Sequence, residues 1–153
     1  MSYHIEDEPR PGRLARWSVN PVWPLFAVMF GGAAWSWAWF TVNGAALGSP
    51  TRRREIVWVL AGLAGSLVLL AGISALAEAG LIEKLGTRYA LAGLTVWKLA
   101  VSYRLYLLQS RTFDIFEHFG GQVKNGLPVV VVAYFLTSKL SAGMPTFWAL
   151  ILR

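Results

Sequence analysis

The chain has 153 residues, of which 56% are hydrophobic and only 14% are charged, and its formal net charge is +6 at pH 7. Soluble domains carry about 25% charged residues, so a protein of this composition would expose apolar surface that drives aggregation in water. The sequence contains no cysteine, which excludes disulfides, thiolate metal sites and cysteine nucleophiles. The composition predicts an integral membrane protein.

The excess of positive charge is explained by membrane topology. Most basic residues flank apolar segments, where anionic headgroups and the positive-inside rule place them. A nucleic-acid protein would instead concentrate its basic residues in a patch or stripe. We therefore expect membrane lipids, including anionic ones, as partners, and no nucleic acid.

The first 20 residues form a polar tail. Glu6, Asp7 and Glu8 stand where a signal peptide would have basic residues, so we expect the apolar segment that follows to be retained as a membrane helix. The remaining residues, 21–153, are predicted to form a single transmembrane helical domain.

The first apolar segment has no charged residue from 17 to 51. We predict a helix over 21–43, in which Trp23 and Trp39 lie about 24 Å apart at 1.5 Å per residue and mark the two membrane interfaces. An alternative is a re-entrant hairpin with Gly31 and Gly32 at its tip, which would bring both ends of the segment to the same side of the membrane. Such a tip must be sheltered by protein.

The second apolar segment, 56–77, also has no charged residue and exceeds the roughly 20 residues that a membrane helix needs. Small residues recur in it at four-residue spacing, which allows helix backbones to approach closely in lipid. The small residues of the first two segments that we expect at helix contacts are Gly31, Gly62, Gly65, Ala71 and Ala75.

A polar stripe distinguishes the third predicted helix, 89–109. Lys98 lies near its middle, where a charge costs about 2.5 to 3.5 kcal/mol on insertion scales. Thr95 and Ser102 lie one turn on either side of Lys98 and share its face, and Arg104 is a further basic residue in the same helix. The stripe should face the bundle interior, a subunit interface or a water-filled path.

Two interpretations of these basic residues remain open. In the first, Lys98 and its neighbours contact an anionic ligand: a lipid phosphate, a permeating anion or a carboxylate of a partner subunit. In the second, Lys98 pairs with Glu78, while Arg104 and Lys139, a second basic site within an apolar segment, extend to the membrane interface.

Residues 111–119 follow the third helix with a phenylalanine at every third position. This spacing is typical of an amphipathic helix lying at the headgroups, although the segment can also continue the third helix. The residues that we expect at this interface are Phe113, Phe116, Glu117, His118 and Phe119.

The last apolar segment, 127–152, is interrupted by Lys139, and Pro145 should kink or break it. We predict one bent span, with a short span and an interfacial C-terminal helix as the alternative. The predicted fold is therefore an all-α membrane bundle of about four transmembrane helices, or three with surface helices. With four complete spans the basic residues divide evenly between the two sides, whereas a re-entrant hairpin would place both arginine clusters on one face.

The sequence contains no phosphate loop, dinucleotide fingerprint or metal-ligand spacing. The two histidines, His4 and His118, do not provide the intramembrane pair that a bis-histidine haem needs. Ser102 and Lys98 form a Ser–Lys pair that nothing else in the sequence supports. We therefore expect no cofactor or metal, and a non-enzymatic subunit or scaffold of a homo- or hetero-oligomeric complex in the bacterial inner membrane. The alternative is an oligomeric channel or small transporter with basic residues lining an anion path.

Overall fold

The computed structural model describes residue 9 and residues 12–152, without the side chain of Ser141. Over these residues the protein is helical and has no strand, which confirms the predicted all-α class. A short 3-10 turn, Ala15–Trp17, precedes the α-helices. These are α1 (Val22–Phe30), α2 (Ala33–Leu47), α3 (Arg52–Glu78), α4 (Lys84–His118), α5 (Leu127–Ala142) and α6 (Thr146–Leu152).

The first apolar segment forms a helical hairpin. The prediction of one helix over 21–43 is wrong, because the chain turns at Gly31 and Gly32 and α2 packs against α1. Gly32 has a φ of +86°, a conformation that glycine adopts without steric cost. Val19 N, before α1, donates a hydrogen bond of 2.9 Å to Asn43 Oδ1 near the end of α2, so both ends of the hairpin lie together.

Helices α3 and α4 form a long antiparallel pair. They contain 27 and 35 residues, which correspond to about 40 and 52 Å at 1.5 Å per residue. Glu55 near the start of α3 contacts Gln109, and further along the pair Trp97 Nε1 donates a hydrogen bond of 3.3 Å to Gly62 O. Helix α2 lies in the groove beside this pair and contacts both of its helices.

Residues 111–119 are mainly the last turns of α4 rather than a separate amphipathic helix, as the alternative interpretation expected. Phe113 and Phe116 are buried and pack with Leu47 at the end of α2. Glu117, His118 and Phe119 are exposed. Phe113 and Phe116 therefore mark a helix face that packs on protein rather than one that lies among lipid headgroups.

The last apolar segment consists of two helices, not one bent span. Helix α5 lies along α1, to which Thr137 Oγ1 donates a hydrogen bond of 2.7 Å at Gly31 O. Helix α5 ends at Ala142, before Pro145. Helix α6 then buries Ile151 against Leu70 of α3 and Leu94 of α4. A short α5 followed by a separate C-terminal helix agrees with the alternative, except that α6 packs on other helices of the protein.

Among the described helices, only α3 is both long and apolar enough to cross a membrane. The apolar part of α5 is shorter than a full span, and α1 and α2 contain 9 and 15 residues. Helix lengths and composition therefore do not confirm four complete spans. What they establish is an all-helical protein with one membrane-capable helix.

Substitution of Gly62 tests the packing of α2 against the long pair. A β carbon at Gly62 would lie 2.9 Å from Trp37 Cη2 and 2.9 Å from Val101 Cγ1, so Gly62→Ala should destabilise the protein by about 1–3 kcal/mol through overpacking. Gly72 lies in the same helix with no atom within 4 Å of a β carbon, and Gly72→Ala should leave stability unchanged or raise it by up to about 1 kcal/mol. Thermal unfolding in detergent measures both; equal midpoints would contradict this packing.

Candidate functional site

The polar stripe of α4 faces the interior of the protein. Lys98, Ser102 and Gln109 are all buried, because spacings of four and seven residues place them on one side of the helix. Thr95 and Arg104 are exposed. The stripe therefore divides into an inner row and flanking residues.

Lys98 holds the end of α6. Its side chain is 6% exposed, and Nζ donates a hydrogen bond of 2.5 Å to Leu150 O. This carbonyl belongs to the last turn of α6, where carbonyl groups have no partner within the helix and a nearby cation is favourable. The contact of Lys98 is thus a backbone carbonyl, whereas Glu78 is exposed at the far end of α3.

A cavity of about 900 Å³ adjoins Lys98. Its walls come from α1, α4, α5 and α6 and are mainly aliphatic, with hydroxyl groups near the lysine. Its lining includes Val28, Met29, Leu94, Thr95, Met144 and Leu150.

The cavity lies halfway along the longest apolar helix. The midpoint of α3 is Gly65, where a β carbon would lie 2.5 Å from the ring of Trp97. Lys98 is the next residue of α4, so its backbone lies beside the middle of α3, while its ammonium group extends to Leu150 of α6, next to Ile151, which packs against Leu70 of α3.

The other two residues of the predicted stripe contact different helices. Ser102 Oγ accepts a hydrogen bond of 3.0 Å from Trp37 Nε1 and so joins α4 to α2. The guanidinium of Arg104 lies over the ring of Trp58, 5.9 Å from its centroid, a cation–π distance. The structure therefore brings Thr95 to the cavity with Lys98, and places Ser102 and Arg104 elsewhere.

The remaining predicted residues lie at three kinds of position. Lys139 is exposed near the end of α5 and is not part of the cavity lining. Among the small residues, Gly62 and Gly65 contact side chains of other helices, and Gly31 faces α5. Ala71 and Ala75 are exposed. Among the residues that the structure describes, no cluster of histidine, aspartate and glutamate could hold a metal ion.

A buried carboxylate lies at the opposite end of the polar stripe from Lys98. Glu55 is 1% exposed. Its Oε1 accepts hydrogen bonds from Ser49 Oγ at 2.5 Å and from Thr51 Oγ1 at 2.8 Å, and its Oε2 accepts one from Gln109 Nε2 at 2.7 Å. Three neutral donors thus satisfy the two oxygens of this buried side chain.

The hydrogen bonds continue from Gln109 to the hairpin. Gln109 Nε2 also donates to Phe40 O at 2.6 Å, and Gln109 Oε1 accepts from Asn43 Nδ2 at 3.1 Å. A β carbon at Gly44 would overlap the Glu55 carboxylate, so glycine is needed there for close approach. We call this set of contacts the Glu55 network; it joins α2, α3, α4 and the chain before α1.

Sequence reasoning missed Glu55 because it directly follows Arg52, Arg53 and Arg54, and a charge run at a helix start usually faces solvent. The arginines are exposed while Glu55 points inward. The sequence signal that pointed toward this site was Gln109, which lies on the same face of α4 as Lys98. It indicated a buried amide without identifying the acid that it contacts.

Comparison with protein-family models, with curated proteins and with solved structures found no match to this chain. The functional proposal consequently depends on the geometry of the described residues.

Removal of the Glu55 carboxylate should destabilise the whole fold. Glu55→Ala leaves Ser49, Thr51 and Gln109 without their acceptor, and a buried group left unsatisfied costs about 1–3 kcal/mol. Glu78→Ala removes an exposed acid of the same helix and should change stability by less than about 0.5 kcal/mol. Thermal unfolding of both variants in detergent measures the difference. Equal stability of the two would show that the network does not hold the helices together.

Proposed function

We propose that this protein is an integral membrane protein and serves as a non-enzymatic subunit of a membrane complex. The membrane location is supported by the surface of α3. Only 22% of the most apolar 18-residue stretch of α3 is buried within the protein, whereas the core helix of a soluble protein would be mostly buried. Val57, Leu60 and Val68 are exposed on it, a surface suited to lipid.

The distribution of charge supports one orientation. The hairpin ends, the start of α3, the end of α4 and the start of α5 lie at one end of the molecule, which we call the basic end. Lys84 and Arg88 lie at the other end. By the positive-inside rule, the basic end faces the cytoplasm of a bacterial inner membrane. Its basic residues are Arg13, Arg16, Arg52, Arg53, Arg54, Arg111 and Lys124.

Single cysteines test this topology without background labelling, because the chain has no cysteine of its own. Arg13→Cys, Pro50→Cys and Gln122→Cys lie at the basic end, and Glu83→Cys lies at the other; all four positions are exposed. In intact spheroplasts, an impermeant maleimide should label only the cysteine at 83, and it should label the other three after permeabilisation. Labelling of positions 13 and 50 from opposite sides would instead indicate a complete span over 21–43.

The observation that carries the subunit proposal is Lys139. It is exposed two residues beyond Thr137, which is hydrogen-bonded to Gly31 O at the hairpin tip. Helix α5 starts at the basic end, so Lys139 lies about 18 Å along it at 1.5 Å per residue. In the proposed orientation this places a cation on the outer surface at the depth of the membrane core.

An exposed cation at that depth costs about 2.5–3.5 kcal/mol on insertion scales. An acidic or carbonyl group of a neighbouring subunit would offset this cost. The surroundings of Lys139 suit such a contact, since Val130 and Ala133 are the buried side chains among those described in α5 and the residues beside them face outward. The large exposed side chains of this face are Val129, Val131, Val132, Tyr134, Phe135, Leu136 and Leu140.

An anion channel is less well supported by the geometry. That function would need Lys98 and Lys139 to line one route. Lys98 is buried between α4 and α6, while Lys139 is exposed on α5 outside the cavity. The two cations therefore face different surroundings, which favours a contact role for Lys139.

Native mass spectrometry of the protein, extracted gently from its own membrane with a C-terminal tag, tests the subunit proposal. We expect a defined complex for the wild type and for Lys139→Arg, and a loss of about tenfold or more in its abundance for Lys139→Met, because one partner of a charge contact is removed. Lys84→Met, an exposed lysine at the other end, is the matched control. A monomeric wild type, or a complex unaffected by Lys139→Met, would contradict the proposal.

A further inference from the structure

We infer that the cavity beside Lys98 binds a single-chain amphiphile with a carboxylate headgroup, of the long-chain fatty acid class. This inference concerns the open cavity between α1, α4, α5 and α6 and goes beyond the proposed subunit role. It is carried by the combination of a buried cation, an aliphatic wall and a volume of about 900 Å³, which is within the range of about 300–1,000 Å³ for small-molecule sites.

The cation supplies the polar end of the site. Lys98 Nζ donates one hydrogen bond, to Leu150 O, and an ammonium group has three N–H donors. Leu150 O is neutral, so the charge of the ammonium is not balanced by this contact. An anion that enters the cavity can pair with it, whereas the hydroxyl of Thr95, one turn away in the lining, already donates a hydrogen bond of 3.3 Å to Leu91 O.

The rest of the lining supplies the apolar end. Val28 and Met29 of α1 face Leu94 and Leu99 of α4 across the cavity, and Leu150 of α6 adds to the wall. These side chains offer no partner for a hydrated inorganic anion, which would lose water against them at high cost, although the lining also contains the hydroxyl side chains of Ser138 and Thr146. An alkyl chain gains free energy on the same surface, at about 25 cal/mol per Å² of apolar area buried.

The depth of the site favours a carboxylic acid over a phospholipid headgroup. Lys98 lies beside the midpoint of α3, and the hydrocarbon core of a bilayer extends about 15 Å to either side of its midplane. Phosphate groups lie beyond that distance. A long-chain carboxylic acid can place its headgroup at this depth, because its alkyl chain is free to lie in the cavity or in lipid on either side, and its carboxylate then pairs with the Lys98 ammonium.

A photoreactive diazirine analogue of stearic acid tests this inference on the purified full-length protein in a neutral detergent. Crosslinks mapped by mass spectrometry should fall on cavity residues such as Met29 and Met144. Excess oleate should abolish the labelling, whereas methyl oleate and inorganic phosphate should not. Lys98→Met should reduce labelling by about tenfold or more, and Lys84→Met, which changes an exposed lysine outside the cavity, should leave it unchanged.

A cavity-filling variant separates loss of the site from loss of the fold. Ala142 lines the cavity and is exposed, so Ala142→Trp should reduce labelling while the Lys98 contact to α6 and the unfolding midpoint are retained. Labelling that resists both variants, competition by methyl oleate as strong as by oleate, or competition by phosphate alone would overturn the inference. Because this measurement needs no complex, its failure would leave the subunit proposal standing, and the reverse also holds.

Discussion

The structure depends on the buried carboxylate of Glu55. It accepts hydrogen bonds from two hydroxyls and an amide, and the amide of Gln109 passes the network on to Asn43 of the hairpin. Each of these groups would be unsatisfied if its partner moved away, which is costly in a buried site. The hairpin, α3 and α4 are therefore coupled at the basic end, and Gly44 permits their close approach because it has no side chain there.

Helices α5 and α6 cover the tip of the short hairpin formed by α1 and α2. Helices α1 and α2 are about 13 and 22 Å long at 1.5 Å per residue, and neither crosses a core of about 30 Å. In the proposed membrane location, the turn at Gly31 and Gly32 leaves backbone groups that must be satisfied by protein. Thr137 of α5 donates to Gly31 O, and α6 packs below the tip with its own end held by Lys98.

The apolar stretches and the polar stripe could be predicted from the sequence, but the path of the chain could not. The stretch from 17 to 51 has no charged residue and fits one span or two short helices equally well, because hydropathy does not show where the chain turns back. Only the Gly31–Gly32 pair marked the turn. Phe113 and Phe116 showed a helical face without showing what covers it, because that depends on Leu47, more than sixty residues away. Glu55 was missed for a related reason, because one of its partners, Gln109, lies 54 residues away in α4.

The two lysines at the depth of the hairpin tip indicate where this protein acts. Lys98 faces inward, where it satisfies the end of α6 and leaves a cation at the wall of an apolar cavity. Lys139 faces outward on α5, which contributes only Val130 and Ala133 to the buried side chains described in that helix. At the basic end the oxygens of Glu55 are satisfied by the Glu55 network, whereas at the tip Lys98 contacts a neutral carbonyl and Lys139 is exposed. In the proposed orientation, recognition of other molecules would therefore take place at the level of the hairpin tip, where these two cations lie.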